Sequence, residues 1–104
     1  MIDCIRFTTM IKWGYEGKEL PKSFVIKVGR SSGNYGTVVG RSSPHIREYG
    51  CEHFNYDGLG IYYVKVFAAD KNNNEVGGDE FVINLIDPVD SVVSPSGVRF
   101  VNNE

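Results

Sequence analysis

Apolar residues recur at every second position through much of the chain, the period of an extended backbone whose successive side chains point to opposite faces. Ile5, Phe7, Ile11 and Trp13 share one parity, with Thr9 among them, while Arg6, Thr8, Met10 and Lys12 share the other. One strand with a core face and a water face is predicted there, followed by a turn region over 14–21 that contains Gly17 and Pro21. Phe24, Ile26 and Val28 alternate with Val25 and Lys27 in a second strand that stops at Gly29. The small polar and glycine residues of 30–36 are turn chemistry; Val38 and Val39 predict a short edge strand, and 40–44 a polar break. A less regular strand is expected within 46–54, then a tight connection over 57–60. The clearest strand places Tyr62, Val64, Val66 and Ala68 on one face and Tyr63, Lys65, Phe67 and Ala69 on the other. Residues 70–75, extended by Gly77 and Gly78, are read as a turn; Phe81, Ile83 and Leu85 form the last strong strand, which Pro88 ends.

About seven short strands without helical periodicity predict an all-β fold, an antiparallel two-sheet β-sandwich over 1–86 with an extended C-terminal tail over 87–104. The 104 residues fit one domain. Aromatic residues at 12% and charged residues at 23% are not the composition of a disordered chain. Eleven basic against 13 acidic side chains give a net charge of −2, which supplies no basic field for nucleic acid. No apolar run approaches the ~20 residues that cross a bilayer, so no membrane partner is expected. Met1 leads into Asp3 and Arg6 without a signal-peptide core, and a product that is not exported is expected.

Candidate chemistry is sparse. Cys51 and His53 at i, i+2 spacing would share a strand face and offer two metal ligands, but three or four convergent ligands are needed and no local nucleophile motif accompanies them. Without a signal segment, Cys4 and Cys51 are expected as free thiols. Asp70, Asn72 and Asn74 stand at the first, third and fifth positions of a calcium-loop pattern, yet Glu75 replaces the turn glycine and Phe81 the closing carboxylate. A solvated hairpin is the reading. Residues 29–33 lack the Lys-Ser/Thr ending and the helix of a phosphate cradle, and no carboxylate pair stands out among the 13 acids for glycoside hydrolysis. No cofactor, metal or catalytic residue is assigned.

Three segments together resemble a fibronectin type III domain or a close relative in the immunoglobulin-like group. These are Ile11-Lys12-Trp13, with a core tryptophan two positions after an apolar residue; Phe24-Val25-Ile26-Lys27-Val28-Gly29, with the Ser31-Ser32-Gly33-Asn34-Tyr35 turn; and Gly60-Ile61-Tyr62-Tyr63-Val64-Lys65-Val66-Phe67-Ala68-Ala69-Asp70, leading through Asn72 and Glu75 to Asp79-Glu80-Phe81. Tyr62 matches the tyrosine corner, a phenol packed inward whose hydroxyl bonds back to a nearby connection. No Arg-Gly-Asp triplet occurs, and the strand over 61–69 has no cysteine for the antibody-type inter-sheet disulfide.

The resemblance implies a non-enzymatic structural or binding protein. Free-standing domains of this kind occur in bacteriophage virions, so the expectation is a virion accessory protein that decorates a head or tail, assembled in the host cytoplasm. Its expected partners are capsid or tail proteins, or further copies of itself. In the tail, Val92, Val93, Val98, Phe100 and Val101 are apolar anchors with which an extended strand could add to a neighbour's sheet edge, the alternative being a tail folded back on its own domain. Tyr35 and Tyr49 are candidate rim residues of a protein interface. A carbohydrate- or cell-surface-binding accessory module, stacking sugars on Tyr15, Tyr35 and Tyr49, is the alternative function.

Overall fold

The computed structural model describes residues 1–87 and the backbone of Ser96–Gly97 and Arg99–Phe100. Seven strands lie within 1–87: β1 (Ile2–Ile5), β2 (Met10–Lys12), β3 (Ser23–Gly29), β4 (Thr37–Ser42), β5 (Glu48–Gly50), β6 (Gly60–Ala69) and β7 (Glu75–Ile86). A single 3₁₀ turn, Cys51–His53, follows β5. Two short strands farther on, β8 (Ser96–Gly97) and β9 (Arg99–Phe100), pair with each other.

The fold is all-β, as the alternation predicts, with no α-helix among the described residues. Five strands form one sheet in the order β1-β7-β6-β3-β4, and β2 pairs with β5 in a second. The expectation of wholly antiparallel sheets is corrected at one edge, where β1 runs parallel to β7 with Cys4 opposite Leu85. Paired residues of these two strands lie 81 positions apart, so no hairpin dictates their direction.

The first segment is also two strands rather than one. The amides of Thr8 and Thr9 both donate to the Ile5 carbonyl, at 3.2 and 3.0 Å, and Phe7 adopts φ 78°, so the chain turns out of the larger sheet before β2 enters the smaller one. This switch exposes Ile5 and Phe7, while Cys4 and Ile11 are buried. Three other boundaries move. β4 runs through to Ser42, the 46–54 region keeps only Glu48–Gly50 as strand, and Gly77 and Gly78 lie within β7 instead of a turn.

One core joins the two sheets. Phe24, Ile26 and Val28 of β3, Tyr62, Val64 and Val66 of β6, and Ile83 and Leu85 of β7 meet Ile11 of β2, with Cys51 and Phe54 beyond β5. Trp13 is only partly buried and packs edge-on against Phe24 at 5.6 Å. Val25, on the opposite face of β3, is buried as well, between Arg41 of β4 and Phe67 of β6.

Cys4 and Cys51 are joined in a disulfide with Cα atoms 6.0 Å apart, which corrects the expectation of free thiols. The bond links β1 of the larger sheet to the segment just after β5 of the smaller. Parity arguments miss it, because the pairing brings together residues 47 positions apart.

Candidate functional site

The connection between Phe54 and β6 is fixed from inside. Tyr62 is buried, and its hydroxyl donates toward the carbonyls of Tyr56 and of Gly58, the latter at 2.5 Å. Burial raises its pKa above the ordinary phenol value. The Arg30 guanidinium lies 3.9 Å over the Tyr62 ring and donates to the carbonyls of Asp57, Leu59 and Ile61 at 2.7, 3.1 and 2.8 Å. Two side chains thus bind five carbonyls of a segment in which Asp57, Gly58 and Gly60 all have positive φ.

On the outer face of the larger sheet, Glu80 accepts hydrogen bonds from the Ser32 hydroxyl at 2.9 Å, the Gly33 amide at 3.2 Å and the Tyr35 hydroxyl. These donors hold the Glu80 carboxyl below its ordinary pKa, and the same contact to Glu80 raises that of Tyr35. Lys27 pairs with Glu75 at 2.6 Å, and Lys27 and Lys65 both lie over the Phe67 ring. The polar groups of this face therefore partner one another.

The opposite, inner face is covered unevenly. A cleft of about 810 Å³ opens where the short β2–β5 sheet stops short of the ends of β6 and β7. Trp13, Tyr15, Phe24, Val66, Val76 and Phe81 supply its apolar walls. Four carboxylates, Glu16, Glu19, Asp70 and Asp79, stand around it against one ammonium, Lys12. Val76 is 72% exposed at the cleft's edge.

The cleft adjoins a bare strand edge. β1 covers only Ile83–Ile86 of β7, so on that side residues 75–82 face no partner strand among the described residues. Outside the register shift between the Lys65–Glu80 and Phe67–Gly77 pairs, every second residue there directs its N–H and C=O away from β6, a template for an added strand. A Cβ at Gly77 would stand 2.7 Å from the Lys65 side chain and 3.0 Å from the Phe67 ring, so glycine lets those two β6 side chains lie across β7.

The predicted contact residues fall in different places. Tyr35 is half-buried, bonded to Glu80 and edge-on to Phe67 at 6.2 Å. Tyr49 is half-buried too; its ring packs against His53 and Phe54, and its hydroxyl donates to Val39 of β4 at 3.2 Å, tying the two sheets together. Tyr15, also half-buried, donates to the Glu19 carbonyl at 2.8 Å and walls the cleft. The three tyrosines are thus not the freely exposed loop residues that their sequence context predicts. Val92, Val93, Val98 and Val101 lie outside the described residues, as does the Phe100 side chain.

The metal readings find no support in the geometry. Cys51 is consumed by the disulfide, and the Cys51–His53 segment is a 3₁₀ turn, which removes the shared strand face. Asp70 accepts from the amides of Asn72 and Asn74 at 2.8 and 2.9 Å and caps its own hairpin, which depresses its pKa.

Sequence reasoning missed Arg30, Val76 and the cleft. Val76 stands beside Gly77-Gly78, and that pair read as turn chemistry. The one available signal was the apolar Val76 between the polar loop and the glycines. No protein family, curated protein or solved structure matches this chain.

Proposed function

We propose that the chain is a non-enzymatic protein-binding domain with a fibronectin type III-like sandwich, an accessory component of a bacteriophage virion that docks on head or tail proteins. The observation that carries the binding reading is the apolar cleft with its acidic rim beside the uncovered β7 edge, because main-chain pairing with side-chain pockets alongside is how sheet edges capture extended segments. The sandwich assignment draws support from the β7-β6-β3-β4 order and from Tyr62, which acts as a tyrosine corner. The virion setting rests on the sequence resemblance. The Cys4–Cys51 bond is compatible with it, since disulfides persist on particle surfaces after release from a reducing cytoplasm.

Mass spectrometry of purified particles from the strain that encodes the chain tests this reading. The chain is expected at a fixed copy number, and Val76→Asp, which places a charge at the mouth of the cleft, is expected to abolish incorporation. Absence of the chain from every particle fraction overturns the virion assignment.

A sugar-binding module is a second reading, favoured by Trp13 and Tyr15 flanking a cleft that also holds Asn74 and Asp79. Glycan-array binding lost in Tyr15→Ala would establish it in place of the first.

A further inference from the structure

The cleft and the bare β7 edge form one continuous acceptor, and the chain itself carries a segment that suits it. We infer that residues 96–101 of a second copy add as a strand to the 75–81 edge of β7, placing Val98 and Phe100 in the cleft. The inference rests on the binding reading above and names its occupant.

Three observations carry it. Among the described residues the edge is unpaired where it borders the cleft, whereas β1 seals it from Ile83 onward. In Val98-Arg99-Phe100-Val101, alternation sends Val98 and Phe100 to one side and Arg99 to the other, so two apolar anchors face the pocket while the cation faces the outer side of the sheet, where Glu75 and Glu80 lie. Pro88 and Pro95 both precede 96–101, so every residue of that segment has an amide to contribute to a ladder. Adding this segment as one strand requires the pairing of Ser96–Gly97 with Arg99–Phe100 to open.

Chain geometry favours a second copy over the same one. The chain leaves β7 at Asp87, next to the Ile5–Ile86 pair, and β1 occupies the edge between that exit and the bare stretch. To return, a chain's own tail must cross β1 and reverse direction within a stretch that carries two prolines. A neighbour's tail arrives without that detour.

The test uses full-length protein in sedimentation velocity over a hundredfold concentration range. The wild type is expected to gain mass with concentration. Phe100→Asp, which spoils the donor, and Val76→Asp, which spoils the acceptor, are each expected to remain monomeric. Mixed together, the two variants should associate one to one, since one keeps an intact edge and the other an intact tail. Val76 is exposed, and circular dichroism checks that each variant is folded. A wild type that stays monomeric, association that survives in both variants, or a mixture that does not associate overturns the inference. If self-association fails while Val76→Asp still blocks entry into particles, the edge serves a foreign partner, and the binding reading stands without this one.

Discussion

At the scale of single residues, the most consequential side chains bind backbone. Tyr62 and Arg30 together hold the carbonyls of a connection that has three residues at positive φ. Removing the Tyr62 hydroxyl takes the donor from the Tyr56 and Gly58 carbonyls, and a hydrogen bond of that kind is worth about 0.5–1.5 kcal/mol. Tyr62→Phe is therefore expected to lower the urea midpoint by that equivalent while the m-value stays unchanged. Arg30→Lys keeps the charge but loses the planar fork that reaches three carbonyls, so it should destabilise as well. Acid should act through other residues. Glu80 and Asp70 both titrate below their ordinary values of 4.5 and 3.8 because the folded state donates hydrogen bonds to their charged forms. A carboxyl with a depressed folded pKa binds protons more weakly in the native state than in the unfolded one. Its contribution is thus intact above the ordinary value and is lost as pH falls through the folded one. Unfolding followed from pH 6 down to pH 2 should show stability declining below about pH 4.5, and Glu80→Gln combined with Asp70→Asn should flatten that decline.

The strands divide by how they were specified. β3, β6 and the second half of β7 are legible in the sequence because each has a face buried in the shared core, and burial imposes a strict period of two. The opening of the chain keeps the same parity on both sides of the 6–9 turn, so alternation cannot reveal that β1 and β2 belong to different sheets. The first half of β7 is hidden for another reason. Residues 75–80 are polar or glycine apart from Val76, and their strand conformation comes from pairing with β6 across the hairpin. Candidate-site residues were least legible of all, since the cleft exists only where 12–24 meets 66–81. The disulfide also lies at this scale, as a staple from β1 to the segment after β5. Closing a loop between residues 47 positions apart restricts the unfolded chain by an amount worth about 2–4 kcal/mol. The double variant Cys4→Ala, Cys51→Ala should lose that much in urea denaturation, and wild type measured with a strong reductant should approach it. A reductant that leaves the wild-type midpoint unmoved would show that the bond does not form in solution.

Taken whole, the molecule is unevenly supported. β3 and β6 lie inside the larger sheet with neighbours on both sides, and the β7 segment Ile83–Ile86 has the same protection from β6 and β1. Among the described residues the far half of β7 has a partner on one side only, and β2 and β5 form a pair that covers part of the inner face. Local opening free energies follow buried apolar contact and hydrogen-bond coverage, so they should fall steadily from the β3–β6 centre toward the β6–β7 hairpin tip. Hydrogen exchange measured amide by amide at low protein concentration should therefore show the slowest rates in residues 24–28 and 62–66. Intermediate rates are expected at 83–86, and the fastest strand amides should lie within 76–80. The same gradient bears on binding. A partner strand on the bare edge supplies acceptors for outward amides of 76–80 and leaves 24–28 unchanged, so protection gained on raising the protein concentration should appear at 76–80 and in the donor segment 96–101, and nowhere else. Uniform protection along β7 at low concentration would mean that the edge is already covered within a single chain, and the uncovered edge from which binding was argued would not exist in solution.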